Sequence, residues 1–94
     1  VRCLSIGSSD SSGGAGIQGD VKAFAALGAY GMTVVVGITS QSTTGVAARH
    51  GVAMSSIASQ LDSVIDDIGV DAVKVGTTWS SGVMRVIASR LAAL

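Results

Sequence analysis

The run Gly14-Ala15-Gly16-Ile17-Gln18-Gly19 spells G-x-G-x-x-G between an apolar segment and a helical pattern, where a backbone can approach a pyrophosphate. A dinucleotide site needs two further features. Its first glycine sits in a tight turn directly after the strand, and an acid near the end of the second strand, about 20 residues on, holds the ribose. Here a serine-rich loop intervenes and the acid position reads Val34-Val35-Val36, so the dinucleotide reading is set aside. No lysine follows the glycine cluster directly, which excludes a P-loop. Two uses remain open for Gly13-Gly14-Ala15-Gly16: close approach to a flat ligand or an anion, or a helix entry that needs positive φ.

Asp10 and Asp20 are the acids near this loop. Either can orient a ligand hydroxyl or hold a cation; equally, Asp10 suits an Asx-type turn and Asp20 the first turn of a helix, where the macrodipole favours an acid. Gln41 stands just past a β-prone run. Its planar amide carries acceptor and donors side by side and can pair with an amino group and adjacent ring nitrogen of a heterocycle, or face water as a loop residue. His50 has no Cys or second His near it, so no metal site is read there. Lys74 suits an ion pair with an Asp. Trp79 either caps a crevice or covers apolar surface, and Cys3 reads as a small buried hydrophobe.

These residues need a scaffold. Residues 2–8 form a short apolar run broken by glycine and flanked by serine, read as a strand. A Ser/Gly loop over residues 8–14 follows, then Ile17, Val21, Phe24, Ala25 and Leu27 at helical spacing up to Gly28. Residues 30–39 carry a continuous β-branched run of the kind covered on both faces, hence a parallel, central strand. The polar stretch 40–51 reads as a long loop or a short irregular strand. Residues 55–68 place Ile57, Leu61, Val64, Ile65 and Ile68 on one helical face. Residues 71–75 are a third strand closed by Gly76, and Val83, Val86, Ile87, Ala88, Leu91 and Leu94 line a last helix. The order β-α-β-α-β-α implies a parallel α/β sheet with any ligand outside the carboxyl ends of its strands.

Composition narrows the class. Hydrophobic residues reach 48% and charged residues 13%, with a mean hydropathy of +0.60, which excludes a disordered chain. Six basic residues balance six acidic ones, so the electrostatic footprint of a nucleic-acid binder is missing. No apolar stretch approaches the roughly 18 residues of a membrane span. No export signal is read, and the cytoplasm is the default location. Because the chain starts at Val1 and stops at Leu94 within a helical pattern, residues 1–94 are expected to be a single incomplete domain.

Taken in order, three segments carry a likeness. They are Gly7-Ser8-Ser9-Asp10-Ser11-Ser12-Gly13-Gly14-Ala15-Gly16-Ile17-Gln18-Gly19-Asp20, Phe24-Ala25-Ala26-Leu27-Gly28-Ala29-Tyr30-Gly31 and Thr39-Ser40-Gln41-Ser42-Thr43-Thr44-Gly45-Val46. With Gln60-Leu61-Asp62-Ser63-Val64 and Asp71-Ala72-Val73-Lys74-Val75-Gly76 they resemble the hydroxymethylpyrimidine/phosphomethylpyrimidine kinases of thiamine biosynthesis.

The resemblance implies a ribokinase-like fold, of which this chain is the amino-terminal, substrate-side portion of a three-layer sandwich. It implies phosphorylation of 4-amino-5-hydroxymethyl-2-methylpyrimidine and then its monophosphate, with ATP and Mg²⁺, in an enzyme that tends to form homo-oligomers. Gln41 falls at the family's pyrimidine-binding position; Ala15, Asp20 and Thr39 fall at positions lining the same pocket. Ser8 replaces a family glycine, and Thr77 and Thr78 replace a Met-Leu pair, which alters the pocket wall. No catalytic residue or metal ligand is expected among these residues, since the family places its ATP site, anion hole and base later in the chain. The competing expectations are a fragment of a pyridoxal-type kinase and a non-catalytic binding or interaction module.

Overall fold

The computed structural model describes all of residues 1–94. Four strands and three α-helices follow one another as β1 (Arg2–Asp10), α1 (Gly16–Ala26), β2 (Tyr30–Ser42), β3 (Gly45–Gly51), α2 (Met54–Ser63), β4 (Ala72–Val75) and α3 (Ser81–Leu91). The sheet order is β3-β2-β1-β4. β1 pairs in parallel with β2 and with β4, whereas β2 and β3 are antiparallel. The result is a mixed α/β sheet in three layers, with α2 and α3 on one face and α1 on the other.

Alternation along the strands sorts the layers, because successive side chains point to opposite faces. Leu4 and Ile6 of β1 and Met32, Val34 and Val36 of β2 face one way and meet Ile57 and Leu61 of α2 and Val83 and Ile87 of α3. These nine buried residues are the core. On the other face lies α1: Ser5 reaches Asp20, and Phe24 packs over Gly31.

Three expectations are settled or corrected by the structure. The polar stretch 40–51, left open between a long loop and a short irregular strand, is a paired hairpin: β2 runs on to Ser42 and returns through Thr43 and Thr44 into β3, with Ser42 opposite Gly45. β3 carries no apolar alternation and is mostly exposed; it exists because β2 offers a free row of backbone groups to pair with. The order of strands and α-helices along the chain is therefore β-α-β-β-α-β-α, with one antiparallel edge to the sheet. Second, the helix expected over 55–68 is α-helical only to Ser63, and Val64–Ile68 widens into a π-turn. It closes at Gly69, whose N–H donates to the Val64 carbonyl at 2.9 Å. Arg2 holds this turn, donating to the Ile68 carbonyl and pairing with Asp71 at 2.9 Å. Third, Leu27 and Leu94, read as helix-face residues, are 85% and 61% exposed; they lie beyond the ends of α1 and α3.

The free edge of β2 beyond β3 is finished by a side chain. Gln60 of α2 accepts from Val35 N at 2.8 Å and donates to the Val35 carbonyl at 2.9 Å, so one amide replaces the missing strand.

Candidate functional site

At the carboxyl ends of β1, β2 and β4 the structure opens a cavity of about 290 Å³. All six residues singled out from the sequence, Ser8, Ala15, Asp20, Thr39, Gln41 and Thr77, line it. Asp10, Lys74 and Trp79 do too, while His50 and Cys3 do not. Two bulges aim the strand ends there: the β1–β2 register shifts between Gly7 and Ser8, and the β2–β3 register between Ser40 and Gln41. An extra residue bends a strand and re-points the side chains beyond it.

One wall is the turn from β1 into α1. Asp10 is buried and accepts from Ser12 N and Ser12 Oγ at 2.8 Å and from Ala15 N at 2.8 Å. The Asx-turn expected of Asp10 is present, and the same carboxylate also meets the helix start. Its pKa is held below the usual carboxylate value, first by the Ser12 hydroxyl and then by the backbone N–H groups, against the cost of burial. Gly16, at φ +60, makes this turn possible: a Cβ there would collide with the Ser8 carbonyl, and the left-handed conformation itself disfavours a side chain. Gln18 locks the turn from behind, accepting from Asp10 N at 2.7 Å and donating to Ser9 Oγ at 2.6 Å.

Asp20 is not in the first turn of α1, so the macrodipole expectation fails. It sits one turn in because its carboxylate has better partners: Ser5 Oγ donates at 2.6 Å and Lys74 Nζ at 2.9 Å. Burial is the largest single influence on its pKa and pushes it up, but Ser5 and Lys74 together outweigh that and hold it low. The ion pair expected of Lys74 is this one, and it ties α1 to β4 across β1.

The opposite wall is the β2–β3 hairpin. Ser11 Oγ both donates to the Gln41 carbonyl and accepts from Gln41 N, each at 2.6 Å, clamping the bulge to the first loop. Thr39 Oγ1 stands 2.9 Å from the Ser9 carbonyl and 3.1 Å from Gln41 Oε1. Its single proton serves one of them at a time, so the Gln41 amide is steadied without being used up. Val46 and Arg49 of β3 complete this side; the sequence reading assigned neither a role, since a stretch left open between loop and irregular strand has no face to assign.

Trp79, the single tryptophan, forms the roof. It adopts φ 70, a conformation that a bulky residue holds only where its surroundings impose it. Its indole lies against Gly37, where any Cβ would overlap the ring. Ser80 then caps α3, accepting from Val83 N at 3.2 Å.

The donor set does not suit a metal: no group of three metal-ligating side chains occurs. Nor does it suit a triphosphate, because the start of α1 beside the cavity is already answered by Asp10. The arrangement suits a small flat polar molecule, held by an amide, hydroxyls and a charged pair under an aromatic roof.

Known proteins share this architecture. The family described as phosphomethylpyrimidine kinase matches residues 10–94. The chain is 51% identical over 88 residues to a probable thiamine biosynthetic bifunctional enzyme, chloroplastic, of Oryza sativa subsp. japonica, covering 94% of this chain and 16% of that protein. It is 41% identical over 91 residues to the hydroxymethylpyrimidine/phosphomethylpyrimidine kinase of Escherichia coli, covering 97% of this chain and 34% of that one. The chain thus spans about a third or less of the length of these curated relatives. Among solved structures, phosphomethylpyrimidine kinase from Clostridium difficile 630 superposes with a TM-score of 0.96 at 43% identity, covering 99% of this chain and 40% of that one. Pyridoxal kinase from Staphylococcus aureus, in complex with AMP-PCP and pyridoxal, gives 0.89 at 30% identity, covering 98% and 34%. A match from Asp10 to the last residue, carried on a fold shared almost residue for residue, makes this chain a member of the phosphomethylpyrimidine kinase family.

Proposed function

We propose that these residues form the substrate-binding side of an ATP-dependent kinase that phosphorylates 4-amino-5-hydroxymethyl-2-methylpyrimidine and then its monophosphate in thiamine biosynthesis. The observation that carries the reading is the convergence of Ser8, Ala15, Asp20, Thr39, Gln41 and Thr77 on one cavity, with the Gln41 amide positioned yet uncommitted. Gln41 pairs with the exocyclic amino group and adjacent ring nitrogen, accepting from one and donating to the other. Thr39 steadies that amide, and the indole of Trp79 covers the ring against water. The Asp20–Lys74 pair presents a polar wall with no net charge, and Ser8 and Thr77 line the rest.

ATP and Mg²⁺ supply the phosphoryl group and its charge neutralisation when bound. The residues described here do not fit either, so we assign both to parts of the family's fold outside these 94 residues and place the catalytic base there as well. In the whole protein the 94 residues are one incomplete domain, in the cytoplasm and in a homo-oligomer. No helix of the chain is long and apolar enough to cross a membrane.

The test is a titration of the protein at its natural length, without ATP, read by Trp79 fluorescence. The aminopyrimidine alcohol is expected to change the emission saturably and more tightly than pyridoxal. Tighter binding of pyridoxal would favour the second reading, a pyridoxal-type kinase, which the likeness to the Staphylococcus aureus structure supports. No response to either heterocycle would sink both.

A further inference from the structure

We infer that Arg49 makes this site select the phosphorylated form of its heterocycle over the free alcohol. The inference rests on the substrate reading above and adds to it a residue that sets the order of preference between the two substrates.

Four charged side chains line the cavity: Asp10, Asp20, Lys74 and Arg49. Three are answered within the chain. Asp10 has Ser12 and Ala15, and Asp20 and Lys74 have each other. Arg49 has neither an ion pair nor a side-chain hydrogen bond, whereas Arg2 and Arg90 are both paired with aspartates. The formal charges of the four sum to zero, and Arg49 is the one among them with no partner in the chain, at the rim contributed by β3.

Register fixes where that cation sits. Arg49 is directly opposite Thr39 in the antiparallel pair, so their side chains share a face, and Thr39 is the residue that steadies Gln41. A ring paired with Gln41 thus lies next to the guanidinium. Guanidinium offers five donors in a planar fork and no acceptor, and it matches the oxygens of a phosphate monoester. An uncharged hydroxymethyl group gives it one weak partner. The difference between the two substrates is this anionic group, so Arg49 acts on their ratio rather than on ring recognition.

The test compares the parent with Arg49→Met, which keeps length and loses charge, and Arg49→Lys, which keeps charge and loses the fork. Binding is measured by calorimetry on the protein at its natural length, without nucleotide, for the aminopyrimidine alcohol and its monophosphate, and for pyridoxal and pyridoxal 5′-phosphate. We expect the preference ratio for the monophosphate to fall about tenfold in Arg49→Met and by less in Arg49→Lys, and the parent's ratio to shrink at high salt. A ratio unchanged in both variants while the pyrimidines still bind overturns the inference and leaves the substrate reading standing. Absence of pyrimidine binding, with an Arg49-dependent preference for pyridoxal 5′-phosphate over pyridoxal, overturns the substrate reading and leaves the inference standing.

Discussion

On the α1 side of the cavity Asp10 accepts from Ser12 and Ala15 and Asp20 is closed by Ser5 and Lys74, whereas on the hairpin side Val46 and Arg49 project from a strand that is mostly exposed. The first wall is held by bonds internal to the chain, so removing a member leaves a buried donor or acceptor unanswered, which is a folding cost. The second is held mainly by backbone pairing between β2 and β3. Its side chains are free to be answered by something else. The comparison teaches which substitutions should be read as stability and which as recognition.

Gly16→Val is the strongest way to break it. The substitution forces a β-branched side chain into φ +60 and against the Ser8 carbonyl, so we expect a loss of about 3 kcal/mol or more, measured by chemical denaturation. A stability within experimental error of the parent would mean that the turn is not the rigid wall described here.

Gln41→Glu tests the other wall. The shape is kept, but an N–H donor becomes an acceptor facing the ring nitrogen, and affinity for the aminopyrimidine should fall by roughly 1–3 kcal/mol, with unfolding stability barely moved. Gln41→Ala should lose less, because water replaces part of the pairing. Equal affinity in both variants and the parent would reduce Gln41 to a loop residue.

Acid sharpens the contrast. Asp10 and Asp20 titrate in the folded chain below their ordinary value of 3.8, so on acidification the unfolded chain takes up these protons first. The stability they contribute is fully present above about pH 4–5 and is lost as pH falls through the folded pKa values. Thermal unfolding should therefore be flat from neutrality to near pH 5 and steepen below it. Asp20→Asn should show a shallower acid slope than the parent; an identical slope would mean the Ser5–Asp20–Lys74 contacts do not persist in solution.

The smallest expected effect is Val46→Ala, within about 0.5 kcal/mol of the parent in stability, because Val46 is 44% exposed. A loss several times larger would show that the hairpin is packed as firmly as the α1 wall.

The halves of the site differ in how far they could be read from the chain. Asp10 two residues before Ser12, the glycines that follow, and the helical spacing from Ile17 are local patterns, and local geometry realises them as a turn, a left-handed glycine and α1. The apolar runs of β1 and β2 and the faces of α2 and α3 were legible for the same reason: burial writes a period into the sequence. β3 was legible only as one of two alternatives, because a strand stabilised by pairing to a neighbour's edge needs no apolar alternation, and Gly45–Gly51 has none. With that choice open, Val46 and Arg49 could not be assigned to a face. The partners of Asp20 were equally hidden: Ser5 is 15 positions away and Lys74 is 54. Residue types and short spacings determined the strands, the helices, the first turn and Gln41 as the amide at the crevice. Only the tertiary structure decided which charges pair, which charged side chain at the cavity has no partner, and that a left-handed tryptophan would lie over Gly37, because each depends on distances closed by the sheet rather than by the chain.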